Sequence, residues 1–143
     1  MNKLETLAEF LEVGTDEITE SKYYDDGFTY GNQEYLVLTD EEADEKVAYE
    51  IRETLFAFNA DFIMTHAKNY NEMSDYEYRS AVEILEKAQE SACESLNGLV
   101  FAIIGDFDDF VESAVMADGR GHFISYYDGC ENELNDYYIY RVD

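Results

Sequence analysis

Acidic side chains outnumber basic ones by 34 to nine, so any fold of this chain has to carry a formal net charge of −25. Solubility of a small domain needs a magnitude of only roughly 2–8. Like charges repel, so the surplus works against a compact state. Folding then requires a substantial core, and the material is there: 46% of the residues are hydrophobic, with 13 Tyr and 9 Phe. Acidic disordered tails lack such aromatics. A chain of 143 residues can bury a core without staples and is read as a single acidic domain over 1–143. Direct binding to nucleic acid or to an anionic membrane surface is disfavoured, because both call for basic patches.

The apolar pattern predicts the elements. Leu4, Leu7, Ala8 and Leu11 recur at helical spacing, giving an amphipathic helix over 2–12 that Gly14 ends, with Thr15 capping a short turn through Ile18. In FTYGNQEYLVL, residues 28–38, two β-prone runs flank Gly31-Asn32-Gln33, a hairpin signal. Thr39 and Glu42 make a capping box that opens a helix with Val47, Ile51, Leu55 and Phe58 inward, interrupted at Asn59 and resumed to about Lys68. Ser74 and Glu77 make a second box. Its helix is expected to run to about Leu96, with Tyr78, Val82, Leu85, Ala92 and Leu96 inward and Asn97-Gly98 as the stop. LVFAIIG, residues 99–105, is ambiguous between buried helix and strand. Residues 106–117 read as a helix with Phe107, Phe110, Val111 and Val115 inward, and 118–121 as a loop. YYIYRV, residues 137–142, is the strongest strand signal and the natural partner of the hairpin. The expected fold is α+β: a small antiparallel sheet with helices packed on one face.

The acids are not scattered. Glu83, Glu86, Glu90 and Glu94 fall at steps of three, four and four, one stripe of a helix that only Lys87 interrupts, where Glu83 compensates it. Like-charged neighbours at that spacing cost about 0.2–0.5 kcal/mol per pair. The runs from Asp40 to Glu45 and from Asp106 to Glu112 are partly explained by the helix dipole, which favours anions at N-termini. Taken one at a time, these clusters read as solvated helix faces. Taken together, they read as a carboxylate array spaced closely enough to stand in for the phosphates of a nucleic-acid strand and to release the same counterions.

Nothing local supports catalysis. His66 and His122 have no metal-ligand spacing to another His or Cys. The acid- and Asn-rich segment 128–136 lacks the glycine of a calcium loop, and Gly119-Arg120-Gly121 is not a phosphate loop. No catalytic residue, metal or cofactor is expected. Cys93 and Cys130 set no disulfide framework and suit a reducing cytoplasm, although one bridge is allowed. The N-terminus, with acids inside its apolar pattern, is neither a signal peptide nor an anchor, and the longest apolar run, residues 99–104, is too short to span a bilayer.

The most distinctive segments are EYLVLTDEEADE (34–45), ADGRGHFISYYDG (117–129) and YYIYR (137–141). In this order they resemble a family of small acidic proteins encoded by phages and mobile elements, a resemblance covering most of the chain from about residue 34. It implies a mobile-element setting and no activity or catalytic residues. Anti-restriction and anti-CRISPR proteins are common in that setting, and several are acidic DNA mimics.

The function expected from charge and setting is an inhibitor that occupies the basic groove of a nucleic-acid-binding defence protein, a CRISPR effector or a restriction enzyme. A homodimer is compatible with it. The candidate binding residues are Glu83, Glu86, Glu90 and Glu94, with Glu41, Glu45 and Asp108 as extensions and Arg120 in the 117–129 segment as an alternative contact. A non-inhibitory acidic adaptor is the second reading, and a halophilic-type acidic domain the third. The Tyr, Phe, Ile and Asn content speaks against the last.

Overall fold

One five-stranded antiparallel sheet and seven helices build the α+β fold of the computed structural model, which describes residues 1–143. The chain sorts into two compact units, one of residues 1–47 and 118–143, the other of residues 48–117.

The first unit holds the whole sheet: β1 (Thr19–Glu20), β2 (Gly27–Tyr30), β3 (Gln33–Leu38), β4 (Asn132–Leu134) and β5 (Tyr137–Arg141), in the order β1-β2-β3-β5-β4. The hairpin forms as the sequence suggests, closed by the pair Tyr30 and Gln33 around Gly31-Asn32, with Gly31 at φ +61. The C-terminal strand lies beside it, with Val37 opposite Ile139 and Leu36 opposite Tyr140. β1 and β4 were not legible. β1 is too short to show a period. The turn from β4 to β5 is Asn135-Asp136, both left-handed at φ 53 and 65. Asn and Asp tolerate that conformation, and a pair of such residues suits a two-residue hairpin.

Helix α1 (Lys3–Leu11) starts with a capping box between Asn2 and Glu5 and lies against β3 and β5. Its Leu7 and Ala8 bury with Ile18, Tyr35, Val37 and Ile139. The left-handed cap falls on Glu12 at φ 58, not on Gly14, and turns the Val13 N–H back onto the Ala8 carbonyl at 3.0 Å. Gly14 instead precedes a 3-10 turn over Thr15–Glu17. The expectation of a sheet covered on one face is corrected. Leu36, Leu38 and Tyr140 point away from α1's side of the sheet and are buried as fully as Tyr35 and Val37. Helix α7 (Arg120–Ile124) replaces the loop expected at 118–121, following Gly119 at φ 87.

Helix α2 (Asp40–Glu53) begins in the first unit and ends in the second. Its capping box is the expected one: Thr39 N–H to Glu42 at 2.8 Å and Glu42 N–H to Thr39 Oγ1 at 3.1 Å. It stops at Glu53, where the Thr54 hydroxyl donates to the Glu50 carbonyl at 2.7 Å. A 3-10 turn over Leu55–Ala57 follows. Asn59 does not interrupt a helix but starts one, accepting the N–H groups of Asp61 and Phe62 at the head of α3 (Ala60–Thr65).

In the second unit, α4 (Asp75–Ser91) opens with the Ser74–Glu77 box and ends short of Leu96. Asn97 is no stop signal. It is buried, and its amide bridges the Phe56 N–H at 2.9 Å and the Glu53 carbonyl at 2.7 Å. This bridge fixes the start of α5 (Asn97–Ile103), so 99–103 is helix, while Ile104 is extended and pairs with Ala67 in an isolated antiparallel bridge. In α6 (Phe107–Asp118) the deeply buried residues are Phe110 and Ala114. Phe110 packs against Phe58, Phe62 and His66, with ring centroids 5.0–5.2 Å away. His66 is held in this cluster by Nδ1 at 2.9 Å from the Phe62 carbonyl and Nε2 at 3.2 Å from Ser113 Oγ, a structural role.

Candidate partner-binding surface

The stripe on α4 is real but shorter and less acidic than its spacing suggests. Glu83, Glu86 and Glu90 are exposed and make no hydrogen bond or ion pair. Glu94 is exposed too, yet it lies beyond the helix, where it opens a 3-10 turn over Glu94–Leu96. Arg79 falls four residues before Glu83, on the same face, its Nε directed at the Asp75 carbonyl. Lys87 lies four residues after Glu83 without forming an ion pair with it. The outward face of α4 therefore mixes three carboxylates with two cations.

Helix α6 is the more consistently anionic element. It has no basic residue, and Asp108, Asp109 and Glu112 are exposed. Asp106, just before it, caps the helix by accepting the Asp109 N–H at 3.1 Å. Asp108 and Glu112 are four residues apart, on one face. The helix dipole accounts for acids in the first turn only, so Glu112 is beyond that explanation. The signal was present in the sequence as an acidic run without a lysine.

In the first unit the acids at the start of α2 divide. Glu41 and Glu45 are exposed and unpartnered. Glu42 is engaged by its cap and by Lys3, whose Nζ lies 2.8 Å from Glu42 Oε1 and 3.4 Å from Asp26. The Lys3 hydrogen bond and the Thr39 amide hold the Glu42 carboxyl below the usual carboxylate range. Asp40 and Asp44 turn to Arg120.

Arg120 is an internal clamp, with its side chain only 11% exposed. Nη1 lies 2.8 Å from Asp40 Oδ1 and 2.9 Å from Asp44 Oδ1, and Nε 2.7 Å from Glu131 Oε1. The guanidinium sits 4.6 Å over the Tyr138 ring. Burial opposes its charge, but the bonds to Glu131 and Asp40 outweigh that and hold its proton more firmly than usual. The Tyr140 hydroxyl also donates to Glu131, and burial together with that bond pushes the phenol above its ordinary range. The rest of the distinctive segment is structural as well. A Cβ on Gly121 would lie 2.6 Å from the Gly129 carbonyl oxygen, so α7 approaches residues 129–131 as only glycine permits. Buried Ser125 donates to the Arg141 carbonyl at 2.5 Å, whereas His122 is exposed.

Cys93 and Cys130 are exposed free thiols. No group of three or more His, Cys, Asp or Glu side chains is placed to hold a metal ion. No helix is long and apolar enough to cross a membrane. In comparisons with protein-family models, with curated proteins and with solved structures, the chain matches none.

Proposed function

We propose that the protein is an inhibitor that mimics nucleic acid, occupying the basic groove of a DNA- or RNA-binding defence protein of the CRISPR-effector or restriction type, in a phage or mobile-element setting. One observation carries this reading: Asp108 and Glu112 on α6, and Glu83, Glu86 and Glu90 on α4, face solvent with no partner inside the protein. Carboxylates left unpaired on rigid helices retain their mutual repulsion and their counterions, and a basic groove relieves both. Helices hold such an array at fixed spacing, so little ordering is needed on binding. The direct test is to load candidate effectors with labelled DNA, add the protein and measure DNA occupancy. Displacement at stoichiometric protein is expected for the true target; failure to compete with DNA on any nucleic-acid-binding protein that it binds would refute the mimic.

A specific observation favours the adaptor as second reading. Ile84 and Tyr76 on α4 are 69% and 78% exposed, next to the mixed charges of that helix. An interface built on them would be apolar and nearly indifferent to salt, whereas the mimic's affinity falls steeply between about 50 and 200 mM.

A further inference from the structure

The sheet of the first unit buries a carboxylate of which the fold uses only one oxygen. Glu34 is 5% exposed. The next residues on its face of β3, Leu36 and Leu38, are apolar and buried. Across the sheet it faces Thr29 on β2, and Thr29 faces Thr19 on β1. Thr29 Oγ1 donates to Glu34 Oε2 at 2.5 Å. Oε1 accepts no hydrogen bond, and no buried polar side-chain atom of the protein lacks a partner. Oε1 is therefore open, and Glu34 lines a cleft of about 420 Å³. A buried carboxylate with a single hydroxyl partner leaves most of its acceptor capacity unused.

The rest of the lining has a consistent chemistry. Thr19, Glu20, Lys22, Tyr23 and Thr29 border the cleft, and Asp143 adds a third acidic residue against the single base. Lys22 forms no ion pair and is exposed, so its flexible stem can carry the ammonium into water. Tyr23 is 79% exposed and offers a ring face. Three carboxylates and a tyrosine ring are also what surrounds Arg120: Asp40, Asp44 and Glu131 with Tyr138. The same set of groups thus holds a guanidinium within this unit already, and in the cleft it stands unfilled.

We propose that this cleft is a receptor for a guanidinium group, an arginine side chain projected by the basic partner, with Glu34 Oε1 as the anchoring acceptor and Tyr23 as the stacking face. The proposal rests on the reading of the partner as basic. A guanidinium fits better than an ammonium because its planar fork bonds carboxylates side by side and stacks on an aromatic ring.

The test needs no partner. Nα-acetyl-arginine methylamide, with the matching lysine derivative beside it, is titrated into the protein while backbone amide resonances are followed by NMR. Saturable shifts at Thr19, Lys22, Thr29 and Asn32 are expected with the arginine compound, weaker ones with lysine. Glu34→Gln should weaken binding by about tenfold or more, the loss of one charge-assisted bond, and Tyr23→Ala by a few-fold. Non-saturating shifts spread over the acidic helices, equal binding of the lysine compound, or unchanged affinity in a folded Glu34→Gln variant would each overturn the proposal. Should Glu34→Gln not fold, Tyr23→Ala and Glu20→Gln decide, since both side chains are exposed; unchanged affinity in both overturns it. A negative result here leaves DNA displacement by the helix faces standing, and a failed displacement leaves guanidinium binding standing.

Discussion

The two units have nearly the same charge balance, and the first gives more of its acids a partner. Residues 1–47 and 118–143 carry 20 acidic and five basic side chains, and residues 48–117 carry 14 and four. In the first unit two cations, Lys3 and Arg120, hold five carboxylates: Asp26, Glu42, Asp40, Asp44 and Glu131. Others bind backbone or side-chain donors, such as Glu5 at Asn2, Glu17 at Gly14 and Glu9 at Asn135. In the second unit fewer acids have internal roles, among them Glu77 and Asp106 as caps, Glu50, and Asp61 as acceptor for Tyr78, whose phenol that bond pushes up to about 12. Net charge alone therefore says little about which acids are functional. What separates them is whether the fold has already given them a donor.

The largest expected effect lies in the first unit. Arg120→Ala leaves Asp40, Asp44 and Glu131 without their shared cation. Breaking a buried pair costs about 3–5 kcal/mol, and because Asp40 and Asp44 are mostly exposed a loss of about 2–3 kcal/mol is expected, read as a lower urea midpoint. Loss below about 0.5 kcal/mol would dissolve the contrast between the units. Next comes Gly121→Ala, which forces a methyl against the Gly129 carbonyl and Cys130 and should cost about 1–3 kcal/mol as an overpacked site does. Asn97→Ala sharpens the comparison from the other side: the second unit depends on this neutral amide bridge, and its loss leaves Phe56 N–H and Glu53 C=O unmet, about 1–3 kcal/mol.

Much of this was legible from local rules. Both helix-opening boxes, the 28–38 hairpin and the terminal strand follow from short-range chemistry that the sequence displays. The ends of helices were less so. Asn97-Gly98 has the composition of a stop, but tertiary contacts to Glu53 and Phe56 made it a beginning. The glycines and arginine of 117–129 stood out in the sequence, yet only the fold reveals that a close backbone approach and an ion cluster explain them. Among the candidate binding residues, the face of α4 was legible from its period. Arg79 is legible by the same spacing, four residues before Glu83, whereas the end of the helix before Glu94 is not. The dipole argument covers Asp108 in the first turn of α6 but does not reach Glu112.

A smaller effect tests the first unit's use of its acids by pH. The Glu42 carboxyl titrates below its ordinary value near 4.5. A depressed pKa means that the folded state prefers the charged form, so Glu42 adds stability above about pH 4.5 that is lost as pH falls through its folded value. Glu42→Gln should therefore lower stability at pH 7, by about 1 kcal/mol as for a cap with a partly exposed ion pair, and the gap to wild type should shrink on acidification. A gap that widens toward low pH would contradict the assignment.

The smallest effect on folding belongs to the residues expected to matter most for binding. In the double variant, Glu112→Lys should change stability by less than about 0.5 kcal/mol, as exposed substitutions do, and Asp108→Lys, in the first turn, by about 1 kcal/mol at most. The measurement that decides the matter is displacement of labelled DNA from the target effector by wild type and by this double variant, at about 50 and 200 mM salt. Wild type is expected to displace DNA with a steep loss of potency at the higher salt, and the folded variant to be at least about tenfold weaker at low salt with a shallower salt dependence. Equal potency and equal salt dependence in the two proteins would mean that the unpartnered acids of the second unit are solvated surface and not the binding face.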